Sequence, residues 1–377
     1  MTKLLYVANA RIPTEKAHGI QIMKMCEAFV RCGAEVELVV PHRRNPITTD
    51  PFDYYGVPRT FTLTKLFSLD AVRFAAFGFW VQRLSFLSSA LPYAVKARAD
   101  VVYSRDIYFC FALSLMRVRG VIFEDHEPLR NKRLYAFLLR RIPRKILVAA
   151  HLQGLYRSLG VSLAGTCIAP NGVDLEEFNA TSPDRLLWER EYGIKHGKKI
   201  ILYTGHFYRW KGMYTLLESS RFIGNSAVVV CVGGTTDDYA EALRFVTEQK
   251  LSHVRLVPFL PHAEIVRHLK SADVLALPNT AAEERSLRYT TPLKLFEYMA
   301  SGVPIVASRI PSFAPYLLDG KNAILCNPDD PEDLTFGIQK VLADISSASN
   351  YANAAHQLVA NHTWMKRAKS ILSSFVD

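Results

Sequence analysis

Short runs of apolar and β-branched residues recur along the chain, separated by longer stretches with helical spacing of their apolar positions. A first series comprises Leu4–Ala8, Val36–Val40, Val101–Tyr103, Val121–Phe123, Ile146–Ala149 and Thr166–Ala169. A second comprises Ile200–Thr204, Ala227–Val232, Val254–Val257, Val274–Leu277, Ile305–Ala307 and Ala323–Leu325. Runs this short and this continuously apolar predict parallel strands buried on both faces. Their alternation with helices predicts doubly wound α/β sheets, and two series predict two of them.

Between the series stands Pro170-Asn171-Gly172-Val173-Asp174, a strong turn signal, followed by the charged, irregular stretch 175–198. A hinge is expected here, with a Rossmann-like domain at 1–170, a second at 171–353, and a cleft that the carboxyl ends of both sheets face. Ligands of open α/β sheets bind at those ends. Residues 354–377 carry a helical pattern expected to pack back on the first domain.

Composition narrows the class. The 377 residues are 49% hydrophobic and 21% charged, with 19 Gly and 19 Pro, which excludes disorder, collagen and coiled coil. The six cysteines show no metal-ligand or CxxC spacing and sit mostly in apolar runs, as expected of buried thiols in a reduced, cytoplasmic chain. The most apolar stretch, 71–95, is interrupted by Arg73, Gln82, Arg83 and Pro92 and falls short of the ~20 residues a spanning helix needs. Leu4–Ala8 is too short for a signal-peptide core.

Charge is uneven. Residues 1–170 hold 24 Lys and Arg against 12 Asp and Glu, whereas the other 207 hold 22 against 23. A one-sided basic face attracts anionic lipid, nucleic acid or an anionic acceptor, or is simply a solvated surface. Without an RNA-binding motif or basic tail, nucleic acid ranks below a membrane. Seven of the cations fall in the sixteen residues 130–145, interleaved with Leu134, Tyr135 and Phe137. A basic amphipathic helix lying on an anionic bilayer fits that pattern, as does a core helix with a solvated face.

Candidate chemistry concentrates in three places. In 290–308 (TTPLKLFEYMASGVPIVAS), Thr291 suits a helix N-cap and Pro292 the first helical position. The helix Leu293–Ala300 would then end at Gly302, and its N-terminus would suit a phosphate. Glu297 on this apolar helix either meets sugar hydroxyls or shares an exposed polar face with Lys294. Next, Val121–Glu127 ends a strand in a polar cluster, where His126 is either a surface-loop histidine or a site residue whose pKa is pushed upward if Glu124, Asp125 or Glu127 lies close to it. Arg105, at the end of another strand, either touches an acceptor or pairs with Asp106.

The ordered set of motifs resembles the group 1 (family 4) retaining glycosyltransferases of the GT-B fold. The resemblance runs through Glu15–Gly19, Ala169–Asp174, Tyr203–Gly212, Val232–Gly234, Pro258–Glu264 and 290–308. It implies a nucleotide-sugar donor on the C-terminal domain and an acceptor, a glycan or lipid-linked molecule, mainly on the N-terminal one. It further implies that Glu297 binds ribose, Lys211 neutralises the diphosphate, and the backbone around Thr290, Thr291 and Leu293 cradles the distal phosphate. The backbone at Phe259 and Leu260 would meet the base, and Gly19 the donor. His126 would stand at the reacting sugar, with His18 and Arg105 toward the acceptor. Two positions depart from the pattern: Tyr289 replaces a second glutamate contacting the donor sugar, and His206 replaces an arginine, for which Arg209 offers a substitute cation. No Asp-x-Asp occurs, and neither a metal nor a cofactor is expected.

The leading expectation is therefore retaining transfer of a sugar to a hydroxyl. A nucleotide-sugar epimerase of the same fold and a catalytically degenerate relative are the alternatives. A dinucleotide-dependent dehydrogenase is disfavoured, because Asn9–Gly19 has one glycine where Gly-x-Gly-x-x-Gly would be needed.

Overall fold

A computed structural model describes residues 1–289 and 291–375. The chain divides into two compact units, one of Met1–Asn171 together with the helix Trp364–Phe375, the other of Gly172–Thr363.

In the first unit, seven parallel strands form one sheet: β1 (Lys3–Val7), β2 (Glu35–Pro41), β3 (Thr62–Leu66), β4 (Val101–Ser104), β5 (Val121–Asp125), β6 (Arg144–Leu147) and β7 (Thr166–Ile168). Their order is β3-β2-β1-β4-β5-β6-β7, so the chain reverses direction across the sheet between β1 and β4. Six strands fall where the apolar runs predict them, within two residues. The seventh, β3, has the sequence TLTKL and lies at the edge, where its residues are exposed or only partly buried and no continuous apolar run is needed.

The expected boundary at 353/354 is corrected, because it falls inside the helix Ile345–Val359, whose Ala348, Ala352, Ala355 and Val359 are buried in the second unit. The return to the first unit is made by Trp364–Phe375. Trp364, Ala368, Ile371 and Phe375 recur at helical spacing and pack toward the helix Ala17–Arg31. Arg144 ties its end by donating from Nη1 to the Phe375 carbonyl at 2.7 Å.

The second unit holds β8 (Lys199–Thr204), β9 (Ala227–Val232), β10 (Val254–Val257), β11 (Val274–Leu277), β12 (Ile305–Ser308) and β13 (Ile324–Cys326), all parallel, ordered β10-β9-β8-β11-β12-β13. Strand alternation splits the core in two. Ile200 and Leu202 of β8 enter one cluster with Phe296 and Met299, while Ile201 and Tyr203 enter another with Leu217 and Ile338. A sheet covered on both faces leaves its strand ends as the natural ligand surface, with the switch point between β8 and β11.

Candidate functional site

At that switch point β8 ends at Thr204 and the chain turns at Gly205, φ +122°, a conformation that favours glycine. The Gly205 carbonyl accepts from the Gly234 amide at 3.1 Å, and the Gly205 amide donates to the Val232 carbonyl at 2.9 Å. These bonds lock the loops after β8 and β9 together. Gly212 (φ +71°) lets the turn Arg209–Lys211 rest on the end of β11, since a Cβ there would lie 1.6 Å from the Pro278 oxygen.

Lys211 rises from this turn, with Nζ 5.1 Å from the centre of the Trp210 ring; the Arg285 guanidinium lies 4.7 Å from the same ring. Burial, and then repulsion by Arg285, lower its pKa to about 8 against the pull of Glu297 and Asp238. Arg209 does not supply a cation here. Its guanidinium is exposed, pairs with Glu241 at 2.6 Å and covers the Tyr214 ring, which corrects the substitution expected from sequence. His206 stacks on Tyr208 and has Nδ1 3.9 Å from Asp238 Oδ2.

The signature helix runs Leu293–Ser301, with Pro292 rather than Thr291 at the N-cap position and no side-chain cap. Thr291 is buried and its hydroxyl bonds to Tyr316. Thr290 lies outside the described residues. As in any α-helix, the first-turn amides around Leu293 and Lys294 point out of the N-terminal end. Glu297, on the second turn, is not on an exposed face: its side chain is 12% exposed and its Oε1 lies 3.0 Å from His262 Nε2. His262 opens the helix His262–Lys270, and its Nδ1 approaches Glu177 at 3.9 Å. Lys294 corrects the sequence reading more sharply. It is 6% exposed, its Nζ has no hydrogen-bond partner among the described residues, and it lies 3.6 Å from the centre of the Tyr203 ring.

Tyr289 is buried at the end of a π-helical turn, Arg285–Tyr289, and donates to Glu284 Oε1 at 2.9 Å; burial, with Glu284 adding, raises its pKa to about 12. Phe259 is exposed in the loop after β10, whereas Leu260 leans on the core. A separate cleft, lined by Trp188, Lys199, Ser271, Gly302 and Val341, opens at the opposite, N-terminal edge of the sheet and holds none of these groups.

The first unit has its own polar cluster. Glu124 is fully buried at the end of β5 and accepts from the Tyr103 hydroxyl, from Gln21 Nε2 at 2.6 Å and from His126 Nε2. The Arg367 guanidinium, carried by the returning helix, lies 3.0 Å from the same carboxylate, and its Nε donates to the Pro170 carbonyl at 2.8 Å. Burial opposes the charge on Glu124, but Arg367, His126 and Arg105 hold the carboxyl well below its usual range. His126 behaves against expectation. Burial first, and Arg105 next, outweigh Glu124 and lower its pKa to about 4, so the imidazole is neutral at pH 7. Asp125 points the other way, as alternation along a strand requires, and takes the hydroxyls of Tyr135 and Tyr156.

Arg105 donates to Gln21 Oε1 at 2.8 Å and does not pair with Asp106, which instead caps the helix Ile107–Leu115 and meets Arg83 at 3.3 Å. Gly19 and His18 lie in the first turns of Ala17–Arg31. A Cβ on Gly19 would stand 2.0 Å from the Tyr55 hydroxyl, so close packing alone demands glycine there. His18 is half-buried.

The basic segment 130–145 is only partly a solvated face. Its helix Lys132–Leu139 buries Tyr135, Ala136, Leu138 and Leu139. Lys145 is buried and donates to the Ile142 carbonyl, and Arg140 is tied to the Leu159 carbonyl at 2.8 Å. Arg130, Arg133 and Arg141 remain exposed. Elsewhere in this unit Phe77, Trp80 and Leu84, three successive turns of the helix Ala75–Ala97, are exposed at 75%, 45% and 61%. No helix among the described residues is long and apolar enough to cross a membrane.

Two doubly wound units, the second gathering glycine loops, lysines and a helix N-terminus at its switch point, define a two-domain α/β protein of the GT-B architecture. Residues 198–344 match the family model described as "Glycosyl transferases group 1". D-inositol 3-phosphate glycosyltransferase of Corynebacterium urealyticum is 27% identical over 227 residues, 56% of this chain and 51% of that protein. Phosphatidyl-myo-inositol mannosyltransferase of Mycobacterium tuberculosis is 27% identical over 248 residues, 62% of this chain and 61% of its own length. The chain thus spans little more than half the length of the curated relatives it matches. Anabaena HepE, solved in complex with UDP-glucose, shares the fold at a TM-score of 0.78 and 17% identity, covering 99% of both chains.

Proposed function

We propose that this protein is a retaining glycosyltransferase that moves a sugar from a nucleotide diphosphate donor to a hydroxyl of an envelope glycan or lipid-linked acceptor. The observation that carries this reading is the second unit's switch point, where Lys211, Lys294 and a helix N-terminus gather positive potential beside Glu297. A nucleoside diphosphate has the complementary shape: phosphates for the cations and amides, ribose hydroxyls for a carboxylate. The named substrates of the relatives, inositol phosphate and phosphatidylinositol, are consistent with an anionic acceptor.

In the proposed reaction the bond between the anomeric carbon and the diphosphate oxygen breaks, and the electron pair leaves with the diphosphate. Lys211 stabilises the charge that grows there. The acceptor oxygen bonds to the carbon on the same face and gives its proton to the departing phosphate. Glu297, steadied by His262, holds the ribose, and the loop at Phe259 and Leu260 meets the base. His126 acts as a neutral imidazole toward the sugar, with His18 and Arg105 near the acceptor. The exposed cations of the first unit rest on an anionic bilayer at the inner face of the membrane.

Incubation with UDP-, GDP- and ADP-sugars, reading nucleotide release with and without candidate acceptors, tests the reading. Release that requires an acceptor is expected, with the product's anomeric configuration by NMR matching the donor's. Acceptor-independent conversion of the sugar would identify an epimerase, and no release with retained nucleotide binding a degenerate relative.

A further inference from the structure

Lys294, read from sequence as part of an exposed polar face, is buried in the second unit's site. A buried ammonium without a hydrogen bond is costly, and the Tyr203 ring beneath it offsets only part of the cost. Such a group needs a further reason to be kept. Its Nζ lies 3.6 Å from where a Cβ on Gly205 would stand, so it faces the open side of the glycine turn that ends β8. Lys211, Glu297 and Cys231 are the titratable groups that act on it. Burial and the Lys211 ammonium push it well below the usual lysine range, so the two lysines share one under-compensated pocket. Neither His206, turned to Asp238 and stacked on Tyr208, nor Arg209, paired with Glu241, brings another cation into it.

We propose that Lys294 is a second phosphate-binding residue, whose ammonium meets the distal phosphate of a nucleoside diphosphate beside Lys211. This rests on the donor reading above and deepens it. Binding a polyanion at Gly205 gives Nζ the oxygen partners it lacks and favours its protonated form. A monophosphate, ending one phosphate earlier, leaves Lys294 unanswered. The site therefore selects diphosphate over monophosphate by a charge-assisted hydrogen bond and not by the base.

Calorimetry on the full chain with UDP and UMP as probes, and with the GDP/GMP and ADP/AMP pairs beside them, tests this. Lys294→Met should weaken the diphosphate about ten- to a hundred-fold and the monophosphate less than about two-fold. Lys294→Arg should recover most of the difference. The melting temperature without ligand should not fall in Lys294→Met, since an unpaired charge is replaced by an apolar chain of similar length. An unchanged preference for diphosphate, or a loss of stability without loss of preference, would overturn the proposal. If Lys294→Met fails to fold, Lys294→Gln, which keeps a polar chain without the charge, decides: it should lose the preference for diphosphate to a similar extent, and an unchanged preference overturns the assignment. Wild-type protein that binds none of the diphosphates would sink the donor reading itself. Normal wild-type binding, weakened by Lys211→Ala but indifferent to Lys294→Met, would sink only the role of Lys294.

Discussion

In the first unit Glu124 receives a tyrosine hydroxyl, a glutamine amide, an imidazole and a guanidinium, whereas in the second Lys294 receives nothing but the face of a ring. Both groups are buried and both sit where a strand end meets a helix. The first is answered in full by the chain's own residues, which marks it as a device for holding position. The second has no hydrogen bond among the described residues, which marks it as a place for a ligand of opposite charge. His126 inherits its geometry from the first arrangement: Glu124 orients it, while burial first, and Arg105 and Arg367 after it, keep it unprotonated.

The largest effect expected from this contrast is on stability. Arg367→Leu leaves the Glu124 carboxylate buried without its main counter-charge and should cost about 3–5 kcal/mol in urea denaturation. Lys294→Met, at a site equally buried, should cost almost nothing. If the two substitutions cost the same, the distinction between a completed network and a waiting one fails.

Lys211 comes next. Lys211→Ala should weaken nucleoside diphosphate binding by about two orders of magnitude, or roughly 3 kcal/mol, by removing a cation from a partly desolvated site. In the free protein its pKa is lowered from 10.5 to about 8, so its ammonium is lost as pH rises through 8. Diphosphate affinity should therefore decline between pH 8 and 10, and Lys211→Met should flatten the part of that decline due to this residue. A pH-independent affinity in wild type would place the phosphates elsewhere.

How far the sequence reaches differs between the two units and between core and site. Strands buried on both faces announce themselves as apolar runs, so the second sheet is legible in all six strands. The edge strand β3 is not, since TLTKL alternates too weakly to stand out. The conformational demands on Gly205 and Gly212 are implicit in their motifs. The partners of charged residues are not legible, because they depend on which neighbouring helix brings what. Glu297 meets His262 from 35 residues away, and Glu124 meets Arg367 across 243 positions. Lys294 reads as surface on a helix that also carries Glu297, until Tyr203 and the Gly205 turn are seen to cover it. Local acidity around His126 pointed upward, but burial and two arginines distant in sequence set the actual direction.

His126 gives a smaller and signed effect. The unfolded chain protonates this residue near the ordinary histidine value of 6.5 and the folded one near 4, so its contribution to stability is complete above pH 6.5 and is lost as pH falls toward 4. Asp125, with its carboxyl raised to about 6, slopes oppositely between 3.8 and 6. His126→Gln should therefore leave a protein that loses less stability than wild type between pH 6.5 and 4, followed by thermal denaturation. The same substitution should slow turnover far more than it weakens nucleotide binding, given the assignment of His126 to the reacting end of the donor. Equal turnover in both proteins would confine His126 to the structural network.

The smallest effect per residue belongs to cations that no carboxylate among the described residues answers and no core encloses. Arg130, Arg133 and Arg141 are exposed, so they act through the long-range field and contribute little to folding. Each should add about 1 kcal/mol to binding of vesicles containing acidic lipid, an attraction screened beyond roughly 8 Å at physiological ionic strength. Replacing all three by Gln should reduce co-sedimentation with such vesicles while leaving the melting temperature within about a degree. Neutral vesicles should bind poorly, and binding should fall steeply with salt. Phe77, Trp80 and Leu84 supply the contrasting case on the same unit. If binding persists in high salt and is abolished by Phe77→Ser with Trp80→Ser, apolar insertion at that helix carries the attachment and the arginines do not. If neither set of substitutions changes vesicle binding, or no vesicles bind while a soluble anionic acceptor is still used, the excess positive charge of this unit serves the acceptor instead of a bilayer.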